Sequence, residues 1–125
     1  MTQALVLDFG GVISRTLFET HDLSEEVLGL SPGTLAWRGP FDPQSDAPWR
    51  AMQAGEMSER DYWALRMRET GELVGETWTE FPQFVGRVRG ADPAAVIRPE
   101  ALRTIERVKK AGKKLAILSN ELDLF

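Results

Sequence analysis

The sequence contains no cysteine, so a disulfide framework, a thiolate nucleophile and a cysteine-ligated metal are all excluded. It has a single histidine, His21. With no second histidine and no cysteine beside it, His21 reads as a surface or half-buried helix position, not as a metal ligand. No apolar run approaches the roughly 18 residues of a membrane span. No basic segment followed by a long apolar run marks a leader at the N-terminus. These absences make the cytoplasm the expected location. Positive charge is not in excess either: 15 Lys and Arg stand against 19 Asp and Glu, a net charge of -4. The two signs are interleaved along the chain, which argues against a nucleic-acid surface.

What is present suits a globular domain, since 42% of the 125 residues are hydrophobic and 27% charged. The most informative stretch is Ala4-Leu5-Val6-Leu7-Asp8-Phe9-Gly10-Gly11-Val12-Ile13. Four apolar residues in a row predict a short strand buried on both faces, as in parallel sheets flanked by helices. The strand ends on Asp8, and ligands of open α/β sheets sit outside the carboxyl ends of strands. An aspartate before glycines is also ordinary turn chemistry, so this stretch alone leaves both readings open.

A second apolar run, Leu115-Ala116-Ile117-Leu118, mirrors the first and ends on Ser119-Asn120. Between the two runs the pattern is helical. A helix is expected from Thr16 to Gly29, and a short one opened by Ser31-Pro32. Gly39 to Pro43 reads as a loop. Asp46 caps a helix through Trp49 and Met52, closed by Gly55. Ser58 and Asp61 open another through Tyr62, Trp63, Leu65 and Met67, ended by Gly71. Phe81, Phe84, Val85 and Val88 form a stripe ending at Gly90. Asp92-Pro93 caps a turn. Arg98-Pro99-Glu100 then starts a helix with Leu102, Ile105 and Val108 on one face, its basic end complementing the helix dipole. The four tryptophans (Trp37, Trp49, Trp63 and Trp78) fall in the middle stretch. They suit the core of a small helical module, or else the lining of a pocket. A right-handed crossover makes the two strands parallel, with Asp8 and Ser119 facing one pocket.

These pieces, in this order, resemble the haloacid dehalogenase superfamily. "LVLDFGGVIS" resembles its first motif and "LAILSN" its second. "IRPEALRTIERVKKAGKKLAILSN" resembles the helix and strand that carry the second motif, and "AGEMSERDYW" a segment of the helical cap. The resemblance implies an α/β fold, a partial Rossmann-like parallel sheet with an inserted helical cap. The core is expected at residues 1–14 and 93–125, and the cap at 15–92. It also implies an Mg²⁺-dependent phosphatase of a small phosphorylated metabolite, such as a sugar phosphate. Asp8 is then the nucleophile that forms an aspartyl-phosphate, and Mg²⁺ is held by the Asp8 carboxylate and the Gly10 backbone carbonyl. Ser119 and Asn120 hold the substrate's phosphoryl group, and Gly11 lets the backbone approach it. A carboxylate needs no base to act as a nucleophile, and a metal offsets its repulsion from an anionic substrate.

Two departures from the family's pattern matter. Gly10 stands where most family phosphatases place an acidic general acid–base, help worth about 10²–10⁴ in rate. Substrates with good leaving groups lose least from its absence. A 2-haloacid dehalogenase is the alternative hydrolase, because halide leaves unprotonated. The family's third-motif lysine and fourth-motif acids lie downstream of the second motif and have no counterpart here. Asp123 is too close to Ser119, and Lys113 and Lys114 precede the strand. The chain is therefore expected to be an N-terminal fragment, inactive alone. A non-catalytic relative of the fold, or an interaction fragment, is the other alternative. The triplet Asp8-Phe9-Gly10 also spells the metal-binding motif of protein kinases, but only seven residues precede it here.

Overall fold

A computed structural model describes residues 3–90 and 92–119. Five α-helices and a two-stranded parallel sheet make it a mixed α/β chain. The elements are β1 (Ala4–Leu7), α1 (His21–Leu28), α2 (Ala47–Gln53), α3 (Glu59–Val74), α4 (Phe81–Arg89), α5 (Pro99–Lys110) and β2 (Lys114–Ile117). Residue contacts divide the described chain into two compact units, one of residues 3–16 and 92–119 and one of residues 17–90.

In the first unit β1 pairs with β2 in parallel, with Leu5 opposite Leu115 and Leu7 opposite Ile117. The Leu118 N–H continues the ladder by donating to the Leu7 carbonyl at 2.9 Å. The helix between them, α5, packs against β2. The strands are not buried on both faces, contrary to their apolar sequences. Leu5, Leu7 and Leu115 are half-buried, whereas Val6 is 58% exposed and Ile117 62%. Successive side chains of a strand point to opposite faces, and a single helix can cover only one of them.

The second unit carries the larger core. Leu17, Phe18, Leu28, Trp37, Tyr62, Phe84, Val85 and Val88 form one buried cluster, with Trp49, Trp63 and Trp78 packed against it. Phe18 sits at its centre, edge-on to Trp37 and Trp49 at ring-centroid distances of 5.5 and 5.4 Å. The tryptophans build a core, and pairs of this geometry add about 0.5–1.5 kcal/mol each beyond their buried area.

Helix ends follow the expected chemistry in most places. The Asp46 side chain accepts the Trp49 N–H at the start of α2, and Ser58 accepts the Asp61 N–H at the start of α3. Glu80 and Gln83 close a reciprocal capping box on α4. Three expectations fail. Ser31-Pro32 opens a turn and no helix, because the Ser31 carbonyl is taken by the Thr34 N–H and hydroxyl. The first helix begins at His21, five residues after Thr16. Helix α3 runs through Gly71 and ends at Gly75, whose φ of 70° is left-handed. Gly71 serves packing instead: a Cβ there would lie 2.5 Å from the Glu76 carbonyl oxygen.

Candidate functional site

The candidate site lies in the first unit, at the carboxyl ends of the two strands. Asp8 follows directly on β1 and is exposed, and its Oδ1 accepts the Phe9 N–H at 2.8 Å. Ser119 lies two residues beyond β2 and is half-buried. The parallel register brings both to the same edge of the sheet. Asn120, the other residue expected to hold a phosphoryl group, lies outside the described residues, as does Asp123.

The turn after Asp8 is tightly wound. The Phe9 carbonyl accepts the N–H groups of Val12, Ile13 and Ser14 at 3.3, 3.0 and 3.0 Å. That convergence closes the chain on itself and makes Gly11 adopt a φ of 81°, a conformation that side chains resist. Gly10 has no such need, so its lack of a side chain is not dictated by backbone geometry. The far side of the turn is stitched to the segment before α5. The Arg15 N–H donates to the Val96 carbonyl at 2.7 Å, and the Arg98 N–H to the Ile13 carbonyl at 2.8 Å. Ile13, Ser14 and Val96 are buried there.

Arg98 was not singled out by the sequence pattern. Its guanidinium donates to the Gly11 carbonyl at 3.2 Å, across 87 residues. Spacing along the chain carries no trace of that contact. A helix-opening Arg-Pro pair gives only the position of the backbone.

A metal finds few protein ligands here. Among the described residues, no group of three or more His, Asp or Glu side chains gathers to hold one. Asp8 offers one carboxylate, and the Phe9 carbonyl is already occupied by the turn. One carboxylate with one carbonyl fits Mg²⁺, which keeps several waters and takes phosphate oxygens, better than a metal needing a closed protein cage.

The second unit holds a buried ionic network, of which the sequence pattern shows only a helix cap. Asp46 is buried and accepts four hydrogen bonds. Its Oδ1 receives the Trp49 N–H and the Arg66 guanidinium, and its Oδ2 the Gly39 N–H and the Tyr62 hydroxyl. Burial alone would raise its pKa, but these donors and the Arg66 charge outweigh it and hold the carboxyl below its usual range. Burial also pushes the Tyr62 hydroxyl well above its ordinary value, with the Asp46 carboxylate adding to the effect. Arg66 reaches Glu69 as well, and lies over the faces of Trp37 and Tyr62 at 5.5 and 5.1 Å. Both carboxylate oxygens of Asp46 are spent on neighbours, which marks a structural role.

A cleft of ≈ 400 Å³ beside this network is bordered by Trp37, Arg66, Glu69, Thr70 and Leu73. His21 lies in the core at 3% exposure, deeper than the surface or half-buried position expected. The Trp37 carbonyl meets its Nε2, and the Trp37 ring stands edge-on against the imidazole. Among the described residues no helix is long and apolar enough to cross a membrane. No family model, curated protein or solved structure matches this chain.

Proposed function

We propose that this chain carries the nucleophile-bearing part of a haloacid dehalogenase-like hydrolase, an Mg²⁺-dependent phosphatase of a small phosphorylated metabolite. The observation that supports the reading most is the parallel register that sets Asp8 and Ser119 at one edge of the sheet. In this reading residues 3–16 and 92–119 belong to the Rossmann-like core, and the helical unit is the cap that selects substrate.

The Asp8 carboxylate oxygen attacks phosphorus, and the bond to the leaving oxygen breaks. Water then attacks the phosphorus of the aspartyl-phosphate, releasing phosphate and restoring Asp8. Ser119 donates its hydroxyl to a phosphoryl oxygen, and Gly11 keeps the backbone close. Asp8 and the Gly10 carbonyl would hold Mg²⁺, which supplies charge neutralisation for the phosphoryl group. Because Gly10 offers no acid, the leaving oxygen departs without a proton from that position. Acyl and anomeric phosphates suit that limitation best.

Among the described residues no group of three or more His, Asp or Glu side chains gathers to hold a metal at Asp8. A phosphate-release screen with Mg²⁺ over sugar phosphates, nucleotides and acyl phosphates tests the reading. It uses the protein expressed from its complete reading frame. Acyl phosphates should be the best substrates, and inactivity on all three classes would remove the proposal.

Gly10 favours one second reading, a 2-haloacid dehalogenase, whose halide leaves without a proton. There the Asp8 carboxylate displaces halide from the substrate's C2 to form an ester, and water attacks the carbonyl carbon of that ester, so a single turnover of a chloro-acid in ¹⁸O-water leaves label in the Asp8 carboxylate. In the phosphatase the label goes to phosphate.

A further inference from the structure

The irregular stretch 34–38 is buried at Leu35 and Trp37, with exposures of 3% and 8%, though it belongs to no helix or strand. Backbone polar groups buried in this way need partners. Two come from α1. The Glu25 carboxylate accepts the Leu35 N–H at 2.9 Å, and the His21 ring Nε2 lies 2.5 Å from the Trp37 carbonyl. The two side chains are four residues apart, so they share one face of the helix. Together they clamp the stretch by one donor and one acceptor. Hydrogen bonds within the helix itself leave this task to side chains.

The clamp fixes the tautomer of neutral His21. A carbonyl only accepts, so Nε2 carries the proton and Nδ1 is bare. Nδ1 is buried and has no hydrogen-bond partner among the described residues. We infer that His21 is an acid-sensitive latch that holds the 34–38 stretch on α1 while neutral and releases it when protonated.

Protonation would place an N–H at Nδ1 where nothing accepts it, and a charge in the core. The surrounding charges make matters worse overall. Arg38, from the clamped stretch, and Arg66, from α3, both oppose a cation at His21, and Glu25 on α1 favours it. From α4, Arg87 reaches the opposite end of α1, at the Val27 carbonyl. His21 is also the first residue of α1, at the positive end of the helix dipole. The Trp37 ring stands edge-on to the imidazole at a centroid distance of 4.2 Å, leaving little room for water. Burial, the largest influence, depresses the His21 pKa below its ordinary 6.5, against the Trp37 carbonyl, which raises it. The opened state therefore binds the proton more readily than the closed one. Stability of the clamp is full above pH 6.5 and falls as pH drops from there toward the closed-state pKa.

The latch does not depend on the hydrolase reading. It is tested on the whole protein by proton NMR and hydrogen exchange. As His21 is the only histidine, its ring Cε1–H titration needs no assignment. The expected midpoint is below 6.5; a midpoint at or above 6.5 overturns the latch. The protection factor of the Leu35 amide should fall about tenfold per pH unit below the ordinary histidine pKa, one proton being linked to opening. His21→Gln keeps a donor for the Trp37 carbonyl and cannot take up a proton. Its Leu35 protection should stay flat over the same range, and a parallel fall in both proteins overturns the inference. Should the variant fail to fold, the wild-type titration decides alone.

Discussion

The Tyr62 hydroxyl donates to the Asp46 carboxylate across 2.8 Å, joining the first turn of α3 to the N-cap of α2. Both side chains are buried, at 0% and 1% exposure, so neither can turn to water if the other is lost. Arg66 completes the set from one turn further along α3.

Breaking this network from the acidic side should be costly. Asp46→Ala leaves a buried guanidinium, a hydroxyl and two backbone N–H groups without their acceptor, and should destabilise the protein by about 3–5 kcal/mol. Tyr62→Phe removes one donor to a charge that keeps three others, so about 1.5–3 kcal/mol is expected. Urea unfolding of both variants and of the double mutant checks this. The pair should show a coupling energy well above zero.

Acid should expose the same carboxylate. Against burial, its hydrogen-bond donors and the Arg66 charge hold the Asp46 pKa below its ordinary 3.8 in the folded protein, so the unfolded chain binds its proton first. Its contribution is complete above pH 3.8 and is lost as pH falls through the folded-state value. Denaturation midpoints across this range should drop in the wild type. In Asp46→Asn the drop should be smaller, because the titrating group is gone.

Two glycines inside helices should respond in opposite directions. A Cβ at Gly71 would meet the Glu76 carbonyl at 2.5 Å, so Gly71→Ala should cost about 1–3 kcal/mol despite the better helix propensity of alanine. A Cβ at Gly86 in α4 has open space around it, and Gly86→Ala should stabilise by about 0.5–1 kcal/mol. Thermal unfolding of the two variants separates them by sign.

The Gly71 case shows where local reading stops. A glycine after an apolar stripe is a sound signal for a helix end, and Gly29, Gly75 and Gly90 all act that way. Gly71 differs only because the chain returns at Glu76 to lie against it, a tertiary fact. Strand positions, the Asp46 and Ser58 caps and the start of α5 were legible, since each rests on residues within one turn. Burial of the strands was not, because it depends on what covers each face. His21 and Asp46 look like surface residues by type. Their partners Trp37 and Tyr62 lie 16 residues away, and no spacing rule links them. The place of Asp8 directly after β1 was legible because it ends an apolar run. Arg98 at Gly11 was not.

Restoring an acid at Gly10 should widen the substrate range of the proposed phosphatase. Gly10 is not among the glycines with positive φ, so Gly10→Asp meets no left-handed backbone strain. Turnover of sugar-phosphate monoesters should rise by about 10²–10⁴, while acyl phosphates change little. Ratios of kcat between the two substrate classes check this.

In the proposed phosphatase, Asp8 is the nucleophile at a phosphoryl-transfer edge. The measurement closest to it is Mg²⁺-dependent phosphate release by the protein expressed from its complete reading frame, compared with Asp8→Asn under the same conditions. The wild type should turn over acyl phosphate, and Asp8→Asn should release none above background. An Asp8→Asn protein that releases phosphate at the wild-type rate would contradict the nucleophile assignment.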